Sequence, residues 1–153
     1  MKKNRKPSLC HCINLRRVSK NITNIYDDFL KPTTLNVTQY SLLANLKRVG
    51  PIKMSDFSKV ARLDRTTLVR NLKPLISSGL IVLNDISKSN AKLLILSQKG
   101  TELTTLAQNY WEDAQNFIEE NIGLQNLNQF YEIVEKIENL STKEEQKNDK
   151  RAK

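Results

Sequence analysis

Arg65, Thr66, Thr67, Arg70, Asn71 and Lys73 lie within a single short stretch of the chain. All are side-chain types that bond phosphate oxygens or the edges of bases. An arginine spans guanine O6 and N7 together, an asparagine does the same for adenine, and a threonine offers a hydroxyl and a methyl. Between them, Leu68, Leu72, Leu75 and Ile76 recur at i, i+4, i+7 and i+8, which is one stripe of a helix. The same segment is therefore predicted to have a packing side and a reading side. Asp64 is expected to cap this helix, so that it starts at Arg65, and Gly79 to stop it in a left-handed turn. Pro74 removes one backbone hydrogen bond near its end. An ordinary amphipathic helix with a solvated face is the alternative, and charge separates the two readings. Of a formal net charge of +9, residues 47–99 hold eleven basic side chains against three acidic ones, whereas residues 100–140 hold one against eight. A polyanion is drawn to one part of such a chain and repelled from another.

Cys10-His11-Cys12 is the only other cluster with chemical potential. A structural zinc site takes four ligands, and the chain has no further cysteine or histidine, so neither metal nor cofactor is expected. Nucleophilic catalysis would need a base and an orienting group, and His11 at a helix start points away from both thiols. With no glycine-rich phosphate loop either, the chain reads as a non-enzyme. A redox-active thiol remains open, with Cys12 the candidate. Two cysteines so close make no disulfide framework, which fits a reducing compartment. No apolar run is long enough to span a bilayer and no signal-peptide core follows the basic N-terminus, so a cytoplasmic protein without membrane contact is expected.

These residues need elements to position them. Few glycines and prolines favour a mostly α protein with a small β wing. Residues 1–8 read as a disordered basic arm and residues 141–153 as a disordered tail. Between about residues 9 and 30, Leu15, Val18, Ile22, Ile25 and Phe29 form a helical seam that Pro32 ends. A second helix turns Val37, Tyr40, Leu43 and Leu46 inward, with Thr38 as its expected cap and Gly50-Pro51 as its close. Ile52 to Met54 is a short strand. Ser55 then caps a helix whose Phe57, Val60 and Ala61 support the reading helix, and Arg62 to Asp64 make the turn between them. After Gly79, Leu80 to Leu83 and Lys92 to Leu96 form a hairpin whose tip carries Lys88. Ser97 caps a long helix to about Asn121, with Leu103, Leu106, Tyr110, Ala114, Phe117 and Ile118 as its apolar positions. Gly123 breaks it, and a last helix to about Leu140 presents Leu127, Phe130, Val134 and Ile137. The expected organisation is a winged helix-turn-helix over residues 37–97 and a helical dimerisation region over 9–36 and 98–140. The terminal helices expose more apolar seam than a small head can cover, so self-association is expected. A homodimer reads two half-sites about one helical turn, roughly 10 base pairs, apart.

The run DRTTLVRNLKPLISSGLI, followed by a wing and LILSQKG, resembles the MarR family of bacterial transcription regulators. LRRVSKNITNIYDDFLKPTTLNVTQYSLL resembles the first two helices of that family, and the match keeps its order from about Leu9 to Leu140. The resemblance implies a homodimer with intertwined terminal helices that binds double-stranded DNA, commonly as a repressor whose operator binding a ligand or oxidant weakens. It implies that Arg70 reads bases and that Arg65, Thr66 and Thr67 meet bases and phosphates. By residue type and place in the motif, Ser55, Asn71, Lys73, Lys88 and Lys92 complete the expected DNA-binding set. The wing departs from the family pattern of Asp-x-Arg with further arginine: Asp85 is followed by Ser87, Lys88, Ser89, Asn90 and Lys92. Lysine lacks arginine's planar fork, which favours phosphate contact over minor-groove readout. In the peroxide-sensing branch of the family a reactive cysteine stands where Cys12 does, and Tyr26 matches one of the tyrosines around it, while two others are replaced by Arg16 and Val37. The other signal is a small aromatic or apolar ligand, with Arg16, Tyr26, Tyr40 and Trp111 as candidate lining. A winged helix that binds an acidic protein partner is the competing class of function.

Overall fold

The structure, a computed structural model, describes residues 6–85 and 92–140. Its elements in chain order are α1 (His11–Leu30), a single 3-10 turn (Lys31–Thr33), α2 (Val37–Val49), β1 (Ile52–Lys53), α3 (Met54–Ala61), α4 (Arg65–Ser77), β2 (Ile81–Asp85), β3 (Lys92–Leu96), α5 (Gln98–Ile122) and α6 (Leu124–Glu138). They fall into two compact units, residues 1–114 and 115–153. The chain is thus mostly helical with one small antiparallel sheet, as its sequence implies.

In the first unit the sheet has the order β1-β3-β2. Ile52 pairs with Leu94 and Lys53 with Leu93, while β2 and β3 pair from Ile81↔Leu96 to Asp85↔Lys92. Ile81 and Leu94 face inward onto a core that gathers Leu30, Leu35, Leu42, Leu43, Leu46, Phe57, Leu68, Leu72 and Leu75, every one nearly or wholly buried. The 3-10 turn after α1 sends the chain back across this core. Thr33 donates to the Leu30 carbonyl at 2.7 Å, and the Asp27 carboxylate accepts the Val37 N–H at 2.7 Å, so α1 holds the start of α2. That bond links the last turns of α1 to the first turn of α2.

Two expected caps are corrected. α2 is capped by Asn36 and not by Thr38: the Asn36 side chain accepts the Gln39 N–H at 2.9 Å while Gln39 accepts the Asn36 N–H at 3.0 Å. This reciprocal box satisfies two free donors where one threonine would satisfy one. α3 begins at Met54, one residue before Ser55, behind Lys53, whose side chain makes no cap bond. Ser55 lies inside the first turn and its carbonyl accepts from the Ser58 hydroxyl. Ser97 caps α5 as expected, its Oγ accepting the Gly100 N–H at 2.9 Å. Along α5 the inward positions are Thr104, Ala107, Ala114 and Ile118, while Leu106 is 48% and Phe117 42% exposed. Small residues let a helix backbone come close to its neighbours, and Thr104 satisfies its hydroxyl on the Gly100 carbonyl at 2.6 Å. In the second unit Gly123 separates α5 from α6 at φ +86, and Leu127 is the buried residue of α6; Phe130 and Ile137 are exposed.

Gly100 stands against Leu80, where an added Cβ would come within 3.0 Å of the Leu80 carbonyl group and the Leu96 side chain. The Gly100→Ala variant should therefore lose stability by about 1–3 kcal/mol, the usual range for forced overpacking. A fall in the urea midpoint at unchanged m-value checks this, and an unaltered midpoint refutes the close approach.

Candidate nucleic-acid interface

The reading helix is built as its sequence dictates. Asp64, extended at φ −63 and ψ 157, accepts the Thr67 N–H at 2.9 Å and opens α4 at Arg65. The turn before it is closed by Arg62 in the left-handed region at φ 51, with the Leu63 N–H on the Ser58 carbonyl at 3.0 Å. At the other end, Gly79 is left-handed at φ 72; its N–H reaches the Ile76 carbonyl and the Leu80 N–H reaches the Leu75 carbonyl, each at 3.0 Å. These are the two bonds of a Schellman close. Leu68, Leu72 and Leu75 are buried and Ile76 is half-buried.

With the inward stripe fixed, the outward one follows. Arg65, Thr66, Arg70 and Lys73 are exposed, whereas Thr67 and Asn71 are half-buried. Thr67 has its backbone N–H committed to Asp64, and Asn71 stands beside the buried Leu72, so these two flank the outward face rather than lie on it. Ser55 is exposed at the start of α3, and Lys92 is exposed at the start of β3. Lys92 is not a free cation: its Nζ lies 3.8 Å from the Asp85 carboxylate across the hairpin. A pair so open to solvent is weak. It nonetheless offsets part of the positive charge at the wing's stem. Lys88 lies outside the described residues. Among the described residues, Arg65, Arg70 and Lys73 engage no carboxylate. Val69 is also exposed on α4 and is not marked by the sequence pattern, because it is apolar and sits between the two leucine positions Leu68 and Leu72.

Residues 35–82 match the model of the MarR family. Over those residues the chain is similar to that family. No curated protein sequence matches it. Among solved structures it is similar to the Mycobacterium tuberculosis transcriptional regulator MosR in complex with DNA, at 28% identity and a TM-score of 0.67, over 82% of this chain and 98% of that one. It also resembles Escherichia coli MarR complexed with operator DNA, at 17% identity and a TM-score of 0.73, over 80% and 89%. A third likeness is to Bordetella bronchiseptica BpsR, at 16% identity and a TM-score of 0.77, over 89% and 98%. The chain shares the winged-helix fold of these regulators, with α3 and α4 as its helix-turn-helix and β2–β3 as the described part of its wing.

The residues expected to sense a signal are only partly brought together. Cys10 and Cys12 are free and exposed. Tyr26 is on the same helix, fourteen positions and about 21 Å further along, so within one chain it cannot touch the Cys12 thiol. Tyr40 and Trp111 do meet, with ring centroids 6.1 Å apart. Burial, helped by the charge of Glu112, raises the Tyr40 phenol above its ordinary value. Arg16 is exposed on the first half of α1. A surface cavity of about 290 Å³ opens where α1 meets the start of α2, but its lining, which includes Asp27, Lys31, Asn36 and Gln39, contains none of the four expected ligand residues. Among the described residues no group of three or more His, Cys, Asp or Glu is placed to hold a metal ion, and no helix is long and apolar enough to cross a membrane.

The hydroxyl and then the backbone N–H of Thr67 hold the Asp64 carboxyl below the ordinary carboxylate range. A depressed folded-state pKa means that the stabilisation is whole above that range and is lost as pH falls through the folded value. The stability gap between wild type and Asp64→Ala should therefore be constant near neutrality and close in acid, with Asp64→Ser restoring part of it at pH 7. Parallel urea titrations across pH measure this. A gap that persists at the acid end would show that Asp64 acts by something other than its charged cap.

Proposed function

We propose that the chain is a homodimeric repressor that reads a pseudo-palindromic operator, with α4 in the major groove. The observation that carries this reading is the outward face of α4. Three cations and a threonine stand exposed there, held from behind by three buried leucines and fixed by the Asp64 side-chain cap at one end and the backbone close at Gly79 at the other. Arg70 is the base reader and Arg65 and Thr66 serve the helix start, where the N-terminal backbone also favours phosphate. Lys73, together with Lys92 and Lys88 of the wing and Ser55 of α3, makes phosphate contacts. Thr67 and Asn71 support the reading face from its edges.

A second copy is supported by surface chemistry in each unit considered by itself. In the first unit Ile13, Leu15 and Val18 are exposed on α1, and in the second Phe130, Tyr131, Ile133 and Ile137 are exposed on α6. Such seams are the mark of helices that pack against another chain. The helical dimerisation region over 9–36 and 98–140 is proposed on this ground. Signal control by a small apolar or aromatic compound is supported by likeness to BpsR, whose DNA binding is regulated by 6-hydroxynicotinic acid. The alternative signal, oxidation at Cys12, is favoured by the exposure of both thiols; it would not draw on Tyr26 of the same chain. A cytoplasmic, non-enzymatic protein is the setting this reading requires.

Selection of bound duplexes from a random pool tests the function. The wild type should enrich an inverted repeat and bind it as a dimer, with a steep loss of affinity as salt rises. Arg70→Ala should cost about 1–3 kcal/mol and relax the choice of one base, while Lys73→Ala should weaken all duplexes alike. Enrichment of no sequence, or a monomer at working concentrations, overturns the reading. Repeating the selection after peroxide treatment separates the signals: an oxidation sensor loses the operator in the wild type and keeps it in Cys12→Ser.

A further inference from the structure

Val69 is 48% exposed in the middle of α4, whereas Leu68 and Leu72 on either side of it are wholly buried. Thr66, Val69, Arg70 and Lys73 fall at i, i+3, i+4 and i+7, so they form one continuous outward stripe in which Val69 is the only apolar member. Nothing in the fold asks for valine there. The core stripe is complete without it, and a β-branched residue on an exposed helix face loses side-chain freedom and gains no packing. Whatever covers Val69 must also accept two flanking cations, so it presents negative charge around a recessed apolar group. The major groove has that form. Its rim is phosphate and the thymine C5-methyl is the apolar group on its floor.

We propose that Val69 is a specificity-determining residue that selects thymine by packing its methyl groups on the thymine C5-methyl. The inference rests on the DNA-reading function proposed above and adds to it a chemical identity for one position of each half-site. Arg70, adjacent in sequence, contributes a hydrogen-bonding contact beside it. The stiffness of valine about its first side-chain bond makes the contact discriminating, since the methyl groups cannot swing away from a cytosine edge or an unmethylated base.

The test uses the full chain and the duplex recovered by selection. Each dT in a half-site is replaced in turn by dU, which removes only the C5-methyl and leaves the Watson–Crick pair intact. At one position this should weaken wild-type binding about three- to fivefold, the worth of one buried methyl group. Val69→Ala should bind the dT and dU duplexes alike at that position, and Val69→Thr, which keeps one methyl and the branched shape, should retain part of the preference. Arg70→Ala should keep the dT over dU difference, which separates the two contacts. Equal binding of dT and dU duplexes by the wild type at every position overturns the proposal, as does a dT preference that survives in Val69→Ala, or a selected half-site without thymine. Failure of the underlying function looks different: no duplex is enriched at all, as expected if an acidic protein rather than DNA covers this face.

Discussion

The carbonyl oxygen of Leu80 is the point at which the reading head is fastened together. It accepts the Ser97 N–H at 3.0 Å and the Ser97 hydroxyl at 3.2 Å, and it lies against Gly100 where no side chain has room. The same serine hydroxyl donates to the Gly79 carbonyl at 2.7 Å, and Lys99 donates to the Ser78 carbonyl at 3.0 Å. The chain just after α4 and the start of α5 are thus bound to each other by one backbone–backbone bond and by the Ser97 and Lys99 side chains donating to backbone carbonyls. Gly79 is left-handed so that the chain can leave α4 toward β2 at this point, and Gly100 is glycine so that α5 can approach it. Through this joint, a tilt of α5 near its start must be carried into α4, because neither helix end can move without breaking several bonds to the other.

The opposite end of α4 is held more lightly, and that difference suits a helix that reads. Asp64 caps it from an exposed position with one carboxylate, and the preceding turn depends on Arg62 adopting a conformation that non-glycine residues seldom take. Between these ends, Leu68, Leu72 and Leu75 set the rotation of the helix about its own axis, and that rotation decides which side chains face outward. Electrostatics then sorts the outward residues by availability. Lys31 and Lys92 each spend part of their charge on a nearby carboxylate, Asp28 and Asp85. Arg65, Arg70 and Lys73 have no such partner among the described residues, so counterions displaced from them on binding a phosphate chain are not replaced by a competing internal acid.

Much of this was legible in the amino acids. The cap, stripe and stop of α4 follow from Asp64, the leucine spacing and Gly79, because each is a local rule that tertiary packing had no reason to override. The hairpin, the short strand at Ile52 and the breaks at Gly50 and Gly123 were legible for the same reason. What escaped notice depended on competition between neighbours. Asn36 displaces Thr38 as a cap because only Asn36 has a glutamine three residues on. On α5 the large apolar residues attract attention, yet the helix turns Thr104 and Ala107 inward and leaves Leu106 and Phe117 exposed, since close approach at Gly100 favours small side chains in the turns that follow it. At the reading face, hydrogen-bonding types were easy to mark and Val69 was not, because a valine among leucines is assumed to be core until its rotation is known. Asn71 shows the converse, a polar residue that the same rotation draws half out of solvent.

The proposed pairing of two copies follows from how little one α4 can specify. A single helix face of four or five side chains contacts only a few base pairs, and each good contact discriminates by about 1–3 kcal/mol. Doubling the face by symmetry doubles that discrimination without lengthening the helix, provided that the two heads are held at a fixed spacing. Flexible tethering would not achieve this; a rigid connection through packed helices does. In the proposed dimer the exposed apolar residues of α1 and of α6 would supply surface for such packing, and the joint at Leu80 holds the start of α5 to the end of α4. A signal that bends or shifts the paired helices would then act on spacing, and a reader of two half-sites loses affinity when the spacing changes even though no contact residue has been touched.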